Sequence, residues 1–276
     1  MTARLHAYAA AVLLAAFLLS TATGSRAAAA TADGSDGLFA PPVATAAAGV
    51  KKKKPSIPPG PQAHMVHESS WICKEDFAKG LPPKPQWNPA LGAWAVVDGW
   101  LTGHELAESH HSSVLFINET TLPTAMVMRF DFRLGDAKGI SVMGQGVNGS
   151  AQRVTFLLDI NPSGFAFASM SDKTVMPAEE TVWLARCAQH FDGAVATTMT
   201  LEIADDEALA WTDDQHATYA RLPAFAKPRW GVSLRTGGVD LSASFGNVWL
   251  TGGVIDPGWS QLRPRFEELM KKSGTK

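Results

Sequence analysis

The chain has 276 residues, a formal net charge of −2 and 18% charged residues. A nearly balanced charge, with no basic stripe interleaved with aromatic residues in the later part, argues against a nucleic-acid partner. About 210 residues remain after the N-terminal region described next, which is enough for one domain with a sizeable core.

The first 30 residues have the pattern of a secretory signal peptide. Arg4 precedes an apolar stretch over Ala7–Leu19, and small residues follow at Ala27–Ala30. This order of charged, apolar and small residues predicts export and cleavage. The alternative is an uncleaved anchor, but the stretch is shorter than the roughly 20 residues that a membrane helix needs. We therefore expect a secreted, periplasmic or cell-envelope protein with no integral membrane span after cleavage.

Residues 31–63 are predicted to form a disordered linker. The segment consists mainly of Ala, Gly, Pro and Ser, with four consecutive lysines at Lys51–Lys54. Such a composition cannot bury enough apolar surface to offset the entropy of ordering. The folded domain is therefore expected over residues 64–276.

Period-two patterning marks most of this domain as β-strand. The clearest run is Ala125–Leu134, in which Met126, Met128, Phe130 and Phe132 alternate with Val127 and with charged residues. Alternation of this kind is typical of a strand with one buried face. Further strands are predicted at Ala93–Val97, Ser113–Ile117, Gly139–Met143, Arg153–Ile160, Gly164–Ala168, Thr197–Ala204, Ala208–Thr212, Ala217–Leu222, Gly231–Thr236 and Val239–Leu250.

The connections between these strands favour antiparallel pairing. Turn residues stand at Asp205-Asp206, at Asp213–Gln215 and at Asn161–Gly164, and Gly237-Gly238 predicts a tight hairpin. The last third is therefore interpreted as an antiparallel meander. The only predicted helix is Gln261–Lys272, near the end of the chain.

Many short strands without intervening helices predict an all-β fold. The predicted architecture is a two-sheet antiparallel jelly-roll sandwich with a short C-terminal helix.

Several segments carry a resemblance to a known family. They are Val97–Thr102, Phe130–Arg133, Thr200–Ile203, Trp230–Arg235 and Phe245–Leu250. Their order resembles that of concanavalin A-like lectin and glucanase jelly-roll domains, in particular the bacterial 3-keto-disaccharide hydrolase family. The resemblance covers about Gly92 to Thr251 and implies a jelly roll that acts on sugars.

The chain departs from that family at two places. The family usually has Asn-Ser-Gly where this chain has Ala137-Lys138-Gly139, and a Tyr-Glu-x-Gln-Ile strand where it has Arg153–Ile160. The latter strand contains neither Glu nor Gln. If the missing Glu serves the family's active site, the hydrolase activity is in doubt, and Asp159 is only a partial substitute in a different register.

Asp131 and Asp159 are the best carboxylate pair for catalysis. Glycoside hydrolysis normally uses one carboxylic acid and one carboxylate, and both residues lie on predicted strands and are expected to share a face. Glu202 alternates outward in its strand and is a third, weaker candidate.

Outward side chains on the predicted strands are candidates for sugar binding. Arginine and aspartate suit sugar hydroxyls, and tryptophan suits the apolar face of a sugar ring. The alternative is a solvated sheet face with cross-strand ion pairs. The candidates are Arg129, Arg133, Thr155, Arg235, Trp211 and Trp249.

Two further features leave alternatives open. His104–His111 contains several ligand-type residues, but it lacks the two-histidine helix motif of metalloproteases. A polar surface loop is favoured there over a metal site, and no metal or cofactor is predicted. Cys73 and Cys187 either form one disulfide or remain free, because sequence does not give the distance between their Cα atoms.

Three functions follow from these features. The favoured one is an exported carbohydrate-binding or glycan-associated protein. A glycoside hydrolase acting on 3-keto-disaccharides, other disaccharides or polysaccharide through paired carboxylates is the first alternative. A structural envelope protein is the second.

Overall fold

The computed structural model of the chain describes residues 62–109, 111–148, 151–169 and 182–272. The predicted signal peptide lies outside these residues, as does all but the last two residues of the predicted linker. No helix in this described part is long and apolar enough to cross a membrane.

Fifteen strands and one α-helix account for most of the described residues. The strands are β1 Val66–Glu75, β2 Trp87–Leu91, β3 Ala93–Val97, β4 Trp100–His104, β5 Ser113–Leu122, β6 Met126–Arg133, β7 Gly139–Asn148, β8 Ala151–Asn161, β9 Gly164–Ser169, β10 Val182–Ala188, β11 Thr197–Ala204, β12 Glu207–Trp211, β13 Ala217–Arg221, β14 Arg229–Gly237 and β15 Ser242–Ile255. Helix α1 spans Trp259–Lys272.

The strands pair into two antiparallel sheets. The eight-stranded sheet has the order β13-β12-β11-β6-β15-β4-β3, and β1 also pairs with β15. The seven-stranded sheet has the order β10-β9-β8-β7-β14-β5-β2. The late strand β14 lies between β7 and β5 in the seven-stranded sheet, and β15 lies between β6 and β4 in the eight-stranded sheet. A jelly roll requires late strands to insert between earlier ones in this way. The predicted two-sheet sandwich with a C-terminal helix is confirmed.

Strand prediction identified most of the strands and missed four of them. β3 and β11 have the predicted bounds. Strands β1, β2, β4 and β10 were not predicted. In β1 the pairing with β15 shifts register twice, which breaks the period of two that the sequence pattern depends on.

The predicted hairpin at Gly237-Gly238 is wrong. This turn joins β14 to β15, and these strands lie in different sheets, so the chain crosses from one sheet to the other there. Only β11, β12 and β13 form the expected meander.

Side chains from both sheets fill the main core between them. Met126, Met128, Phe130 and Phe132 of β6 all enter it, as the alternation predicted. Phe130 also packs on Phe245 of the neighbouring β15, with ring centroids 6.1 Å apart. Burial of each such side chain contributes about 1.5–3 kcal/mol.

A second apolar layer covers part of the outer face of the eight-stranded sheet. Trp259 and Phe266 of α1 pack there against Val127 and Leu209. The buried carboxylate of Glu207 holds helix α1 against the sheet. It accepts hydrogen bonds from the indole N–H of Trp259 at 3.0 Å and from Arg263 at 2.9 Å.

Cys73 and Cys187 are separate, buried thiols. Cys73 is in β1 of the eight-stranded sheet, and Cys187 is in β10 of the seven-stranded sheet. Burial raises the pKa of Cys73 to about 12 and that of Cys187 to about 11. Neither thiol is therefore poised to form a thiolate at neutral pH.

Candidate functional site

The two carboxylates predicted to act as a pair lie on opposite sides of the sandwich. Asp131 is on β6 of the eight-stranded sheet, and Asp159 is on β8 of the seven-stranded sheet. Their neighbours Phe130 and Ile160 point into the shared core, so both carboxylates point away from it. Packed sheets lie about 10 Å apart. The expectation that Asp131 and Asp159 share a face is wrong, because the core separates them.

Glu202, the third carboxylate candidate, is completely buried. It points outward from its strand as expected, but the segment that precedes β1 covers it. Its carboxylate accepts the backbone N–H groups of His64 at 2.9 Å, Met65 at 2.7 Å and Val66 at 2.9 Å. The indole N–H of Trp211 is a fourth donor, at 2.8 Å. These contacts give Glu202 a structural role and leave Trp211 unavailable for stacking on a sugar.

Arg129 is not available as a sugar ligand either. Its guanidinium donates two hydrogen bonds to Glu68, at 2.6 and 2.8 Å, and both side chains are at most 10% exposed. Thr251 donates a third hydrogen bond to Glu68 at 2.6 Å. Arg129 points outward as expected. However, β1 covers it and supplies Glu68 as a buried partner, which the sequence pattern did not indicate.

Three other candidates lie on this same face. Asp131 accepts hydrogen bonds from Thr198 and Asn247, each at 2.6 Å. The exposed guanidinium of Arg133 stacks 4.0 Å from the ring centroid of Trp100. The half-buried Trp249 lies 5.9 Å from the Lys74 ammonium. All three are on the opposite sheet from Asp159, so no common site unites them with it.

Thr155 is buried, against expectation. β8 has one more residue than β7 between the pairs Val154–Gln145 and Phe156–Gly144, which is a β-bulge at Thr155. The bulge reverses the predicted faces only on its N-terminal side, since Phe156, Leu158 and Ile160 enter the core as expected. Val154, expected in the core, packs with the outer side chains of β7 and β8. Thr155 is only 2% exposed and cannot meet a ligand from solvent.

A cleft of about 580 Å³ opens on the outer face of the seven-stranded sheet, at one end of its strands. It contains two of the predicted site residues, Asp159 and Arg235. The residues that line it are Ser112, Lys138, Gly139, Ser141, Asp159, Asn161, Pro162, Ser163, Arg235 and Gly237.

Strand pairing places Asp159 and Arg235 of the cleft in one row across the sheet. Asp159 of β8 is opposite Ser141 of β7, and Ser141 is opposite Arg235 of β14. Two strand spacings put the Cα atoms of Asp159 and Arg235 about 10 Å apart. The cleft therefore presents an acceptor and a donor group on either side of one strand.

Two glycines create the space beside this row. Gly139 and Gly237 are direct partners across β7 and β14, so no side chain stands over them. A Cβ at Gly237 would meet Ser112 Oγ at 3.6 Å, an ordinary van der Waals distance. The backbone does not require glycine there, so a larger side chain can be used to fill the cleft.

Burial governs the charge of Asp159. It raises the pKa of the carboxyl above its usual value. A hydrogen bond from Ser141 at 3.2 Å, a longer one from Asn161 at 3.5 Å and the charge of Arg186 offset this only in part. Asp159 is thus a desolvated carboxylate with spare acceptor positions.

The histidine-rich segment supports the cleft and does not itself form it. Glu105 is buried, and its carboxylate accepts the N–H of Gly238 at 2.7 Å. Its backbone C=O accepts the N–H of Asp240 at 3.1 Å. These bonds fix the turn that follows Gly237. Among the described residues, which exclude His110, no three His, Cys, Asp or Glu side chains come together in a way that could hold a metal ion.

Aromatic side chains lie on the same outer face as the cleft. Phe116 and Trp230 are half-buried, with ring centroids 5.7 Å apart. Phe116 is paired with Ser233, the next outward residue of β14 after Arg235. Trp183 on the edge strand β10 is 56% exposed. None of these three was singled out from the sequence.

Most of the residues that line the cleft belong to turns or strand ends. Ala137-Lys138-Gly139 leads into β7, Asn161–Gly164 joins β8 to β9, and β14 ends in Gly237-Gly238. Each was recognised in the sequence only as a departure or a turn. Because β8, β7 and β14 are neighbours in the sheet, these three segments meet at one end of it. The sequence did not show this strand order, so it could not show that the three segments form one cleft.

No protein-family model matches the chain, and no curated protein matches its sequence. Among solved structures, the fold is similar to the carbohydrate-binding module CBM66 from Bacillus subtilis. That match has 15% identity and a TM-score of 0.45, and it covers 60% of this chain and 96% of that one. A laminarinase from Rhodothermus marinus matches at 12% identity and a TM-score of 0.49, covering 68% and 99%. A protein with a galectin-like fold from Bacillus subtilis matches at 12% identity and a TM-score of 0.49, covering 69% and 99%.

Proposed function

We propose that the protein binds carbohydrate in the cleft of the seven-stranded sheet. The observation that supports this is the convergence of Asp159, Asn161, Ser141 and Arg235 in one open cleft. Carboxylate oxygens accept hydrogen bonds, guanidinium and amide N–H groups donate them, and sugar hydroxyls do both. The cleft also falls within the range of about 300–1,000 Å³ that small-ligand sites occupy.

The geometry favours binding over hydrolysis. Asp159 is the one carboxylate among the described residues that line the cleft. Glycoside hydrolysis normally needs two carboxyl groups within about 5–9.5 Å of each other. Asp131 and Glu202, the other candidates, belong to the opposite sheet. A single carboxylate with polar neighbours is suited to holding a hydroxyl group.

Two sequence features support the same proposal. The resemblance to 3-keto-disaccharide hydrolases favours a sugar as the ligand, and the predicted signal peptide favours a secreted or periplasmic location. A purely structural envelope role would require no polar cleft, so it is the less favoured alternative.

Filling or neutralising the cleft should abolish sugar retention without unfolding the protein. We expect Gly237→Leu to eliminate binding and Asp159→Asn to weaken it at least tenfold. The measurement is retention of the purified protein on a panel of oligosaccharides and polysaccharides, with Tm recorded for each variant. Asp131→Asn is the matched control, because it makes the same change on the opposite sheet and should bind as the wild type does.

The other outcomes of this experiment are equally definite. Equal binding by Gly237→Leu and the wild type would show that the cleft is not the site. Release of sugar product that disappears in Asp159→Asn would make the protein a hydrolase. Binding that is lost in Asp131→Asn, with Gly237→Leu unaffected, would move the site to the eight-stranded sheet.

Binding of a neutral sugar should weaken as the pH falls through the raised pKa of Asp159. Protonation removes an acceptor and turns it into a donor, so the loss should begin above the usual aspartate pKa of about 3.9. Titration of Kd between neutral and acidic pH should show this decline in the wild type and a flat profile in Asp159→Asn. The same profile in both proteins would contradict a role for the ionised carboxylate.

Ionisation of Asp159, which should favour sugar binding, should lower the stability of the fold. A carboxyl whose pKa is raised by folding stabilises the protein at low pH, and that contribution is lost as the pH rises through the folded-state pKa. Asp159→Asn should therefore have an unchanged or higher Tm at neutral pH. That result separates a loss of binding from a loss of fold.

A further inference from the structure

Arg235 is a cation without a counter-ion in the described part of the chain. Its guanidinium makes no hydrogen bond or ion pair with any described residue, and its Nε is sealed from solvent without a partner. Burial lowers the pKa of this side chain. A desolvated charge is unfavourable unless something compensates for it.

Another arginine of the same strand is compensated by hydrogen bonds within the fold. Arg229 is buried at the other end of β14, and its terminal nitrogens donate to the backbone carbonyls of Pro123, Thr124 and Phe225. These acceptors satisfy the terminal nitrogens of Arg229 without a ligand, although its Nε, like that of Arg235, has no partner. The terminal nitrogens of Arg235 have no equivalent acceptors among the described residues, and the side chain lies at the open cleft.

The charges around the cleft do not balance within it. Among the described residues of the lining, Lys138 and Arg235 are the two cations and Asp159 is the one anion. The charge of Arg186 already acts on Asp159, and the pKa shift of Asp159 includes no contribution from Arg235. Asp159 lies on β8, and β7 separates it from Arg235 on β14. The side of the cleft at Arg235 is therefore positively charged.

We propose that the cleft selects acidic sugars, with the carboxylate of a uronic acid residue bound by Arg235. This inference rests on the proposed carbohydrate function and names the class of ligand. A planar carboxylate matches the fork of N–H donors of a guanidinium and forms paired hydrogen bonds with it. Lys138, at the same cleft, adds a second positive charge. Asp159 remains free to accept hydroxyl groups of the same sugar or its neighbour.

The test compares neutral sugars with their uronic acid counterparts. Glucose-, galactose- and mannose-based oligosaccharides are each paired with the same backbone carrying a C6 carboxylate, and Kd is measured with the full-length protein at low and moderate salt. In any series that binds, we expect the acid to bind at least tenfold more tightly than the neutral sugar.

Variants at Arg235 assign that preference to its charge. Arg235→Gln should abolish the preference, and Arg235→Lys should retain part of it with less discrimination between ligands. Because Arg235 has no partner among the described residues, Tm should not fall in Arg235→Gln. Arg133→Gln removes an equivalent charge from the opposite sheet and should leave every affinity unchanged.

The two levels of the proposal fail in different ways. Equal binding of neutral and acidic sugars, still sensitive to Gly237→Leu, would overturn the inference and keep the carbohydrate function. A preference that persists in Arg235→Gln would overturn the role of Arg235. No binding of any sugar by the wild type would overturn both.

Discussion

Glu202→Ala should be among the most destabilising single substitutions in this protein. It would leave the backbone N–H groups of His64, Met65 and Val66, and the indole N–H of Trp211, without their acceptor. Each buried donor without a partner costs about 1–3 kcal/mol. Partial relaxation of the segment before β1 should limit the total to about 4 kcal/mol. For a domain of this size that lowers Tm by about 8–16 °C.

Chemical denaturation and thermal unfolding of Glu202→Ala and Glu202→Gln test this expectation. Gln keeps one carbonyl acceptor but turns an NH₂ group toward the donors, so it should also be strongly destabilised. Glu108→Ala removes an exposed carboxylate and is the control. A loss of less than about 1 kcal/mol, the size of one ordinary hydrogen bond, would show that Glu202 does not anchor this segment.

The strands of this protein could be predicted because their signal is local. In Met126–Arg133 the side chains alternate between core and outer face, and the sequence alone shows that period. The faces could be assigned only as inside or outside, since alternation does not tell which sheet a strand joins. Asp131 and Asp159 therefore looked like partners until pairing with β11 and β7 placed them in different sheets.

The exposure of the candidate side chains was predicted wrongly where long-range contacts bury them. Glu202 and Arg129 were correctly expected to point outward, but the outer face there is covered by chain that is distant in sequence. The bulge at Thr155 is a second cause, since one inserted residue exchanges the faces of a strand. Arg235 and Asp159 reached the cleft because the irregular positions of their strands, at Thr155 in β8 and next to Arg229 in β14, lie away from that end of the sheet. Nothing described packs over that end.

The two outer faces of the sandwich differ in how they accommodate ionisable groups. On the eight-stranded sheet, the buried carboxylates of Glu202, Glu207 and Glu68 each accept several hydrogen bonds. The seven-stranded sheet keeps Asp159 and Arg235 desolvated but incompletely partnered. Unsatisfied, desolvated charges that converge in a cleft are typical of ligand sites, whereas satisfied ones are typical of structure. This contrast supports the proposed location of the binding site.

Arg129→Met should destabilise the protein strongly at neutral pH and much less at acidic pH. The variant leaves the Glu68 carboxylate buried without its guanidinium, and removal of one partner from a buried ion pair costs about 3–5 kcal/mol. In the wild type, burial alone would raise the pKa of Glu68. The hydrogen bonds from Arg129 and Thr251 and the charge of Arg129 outweigh that effect and lower the pKa.

The lowered pKa sets the pH dependence of this stability difference. The contribution of a carboxyl with a lowered pKa is fully present above its unfolded value of about 4.3 and is lost as the pH falls through the folded-state pKa. Without Arg129, burial should instead raise the pKa of Glu68, so the variant recovers stability on protonation. Free energies of unfolding from neutral pH to about pH 4 should therefore converge for the two proteins.

A double variant separates loss of the ion pair from loss of packing. Glu68→Gln combined with Arg129→Met removes both charges, and it should be more stable at neutral pH than Arg129→Met alone. Arg133→Met, at an exposed position on the same strand, should stay within about 0.5 kcal/mol of the wild type. Suppose that adding Glu68→Gln to Arg129→Met lowers the free energy of unfolding as much as Glu68→Gln does in the wild type. The two residues would then act independently. The buried pair would then not be what holds β1 to this face of the sheet.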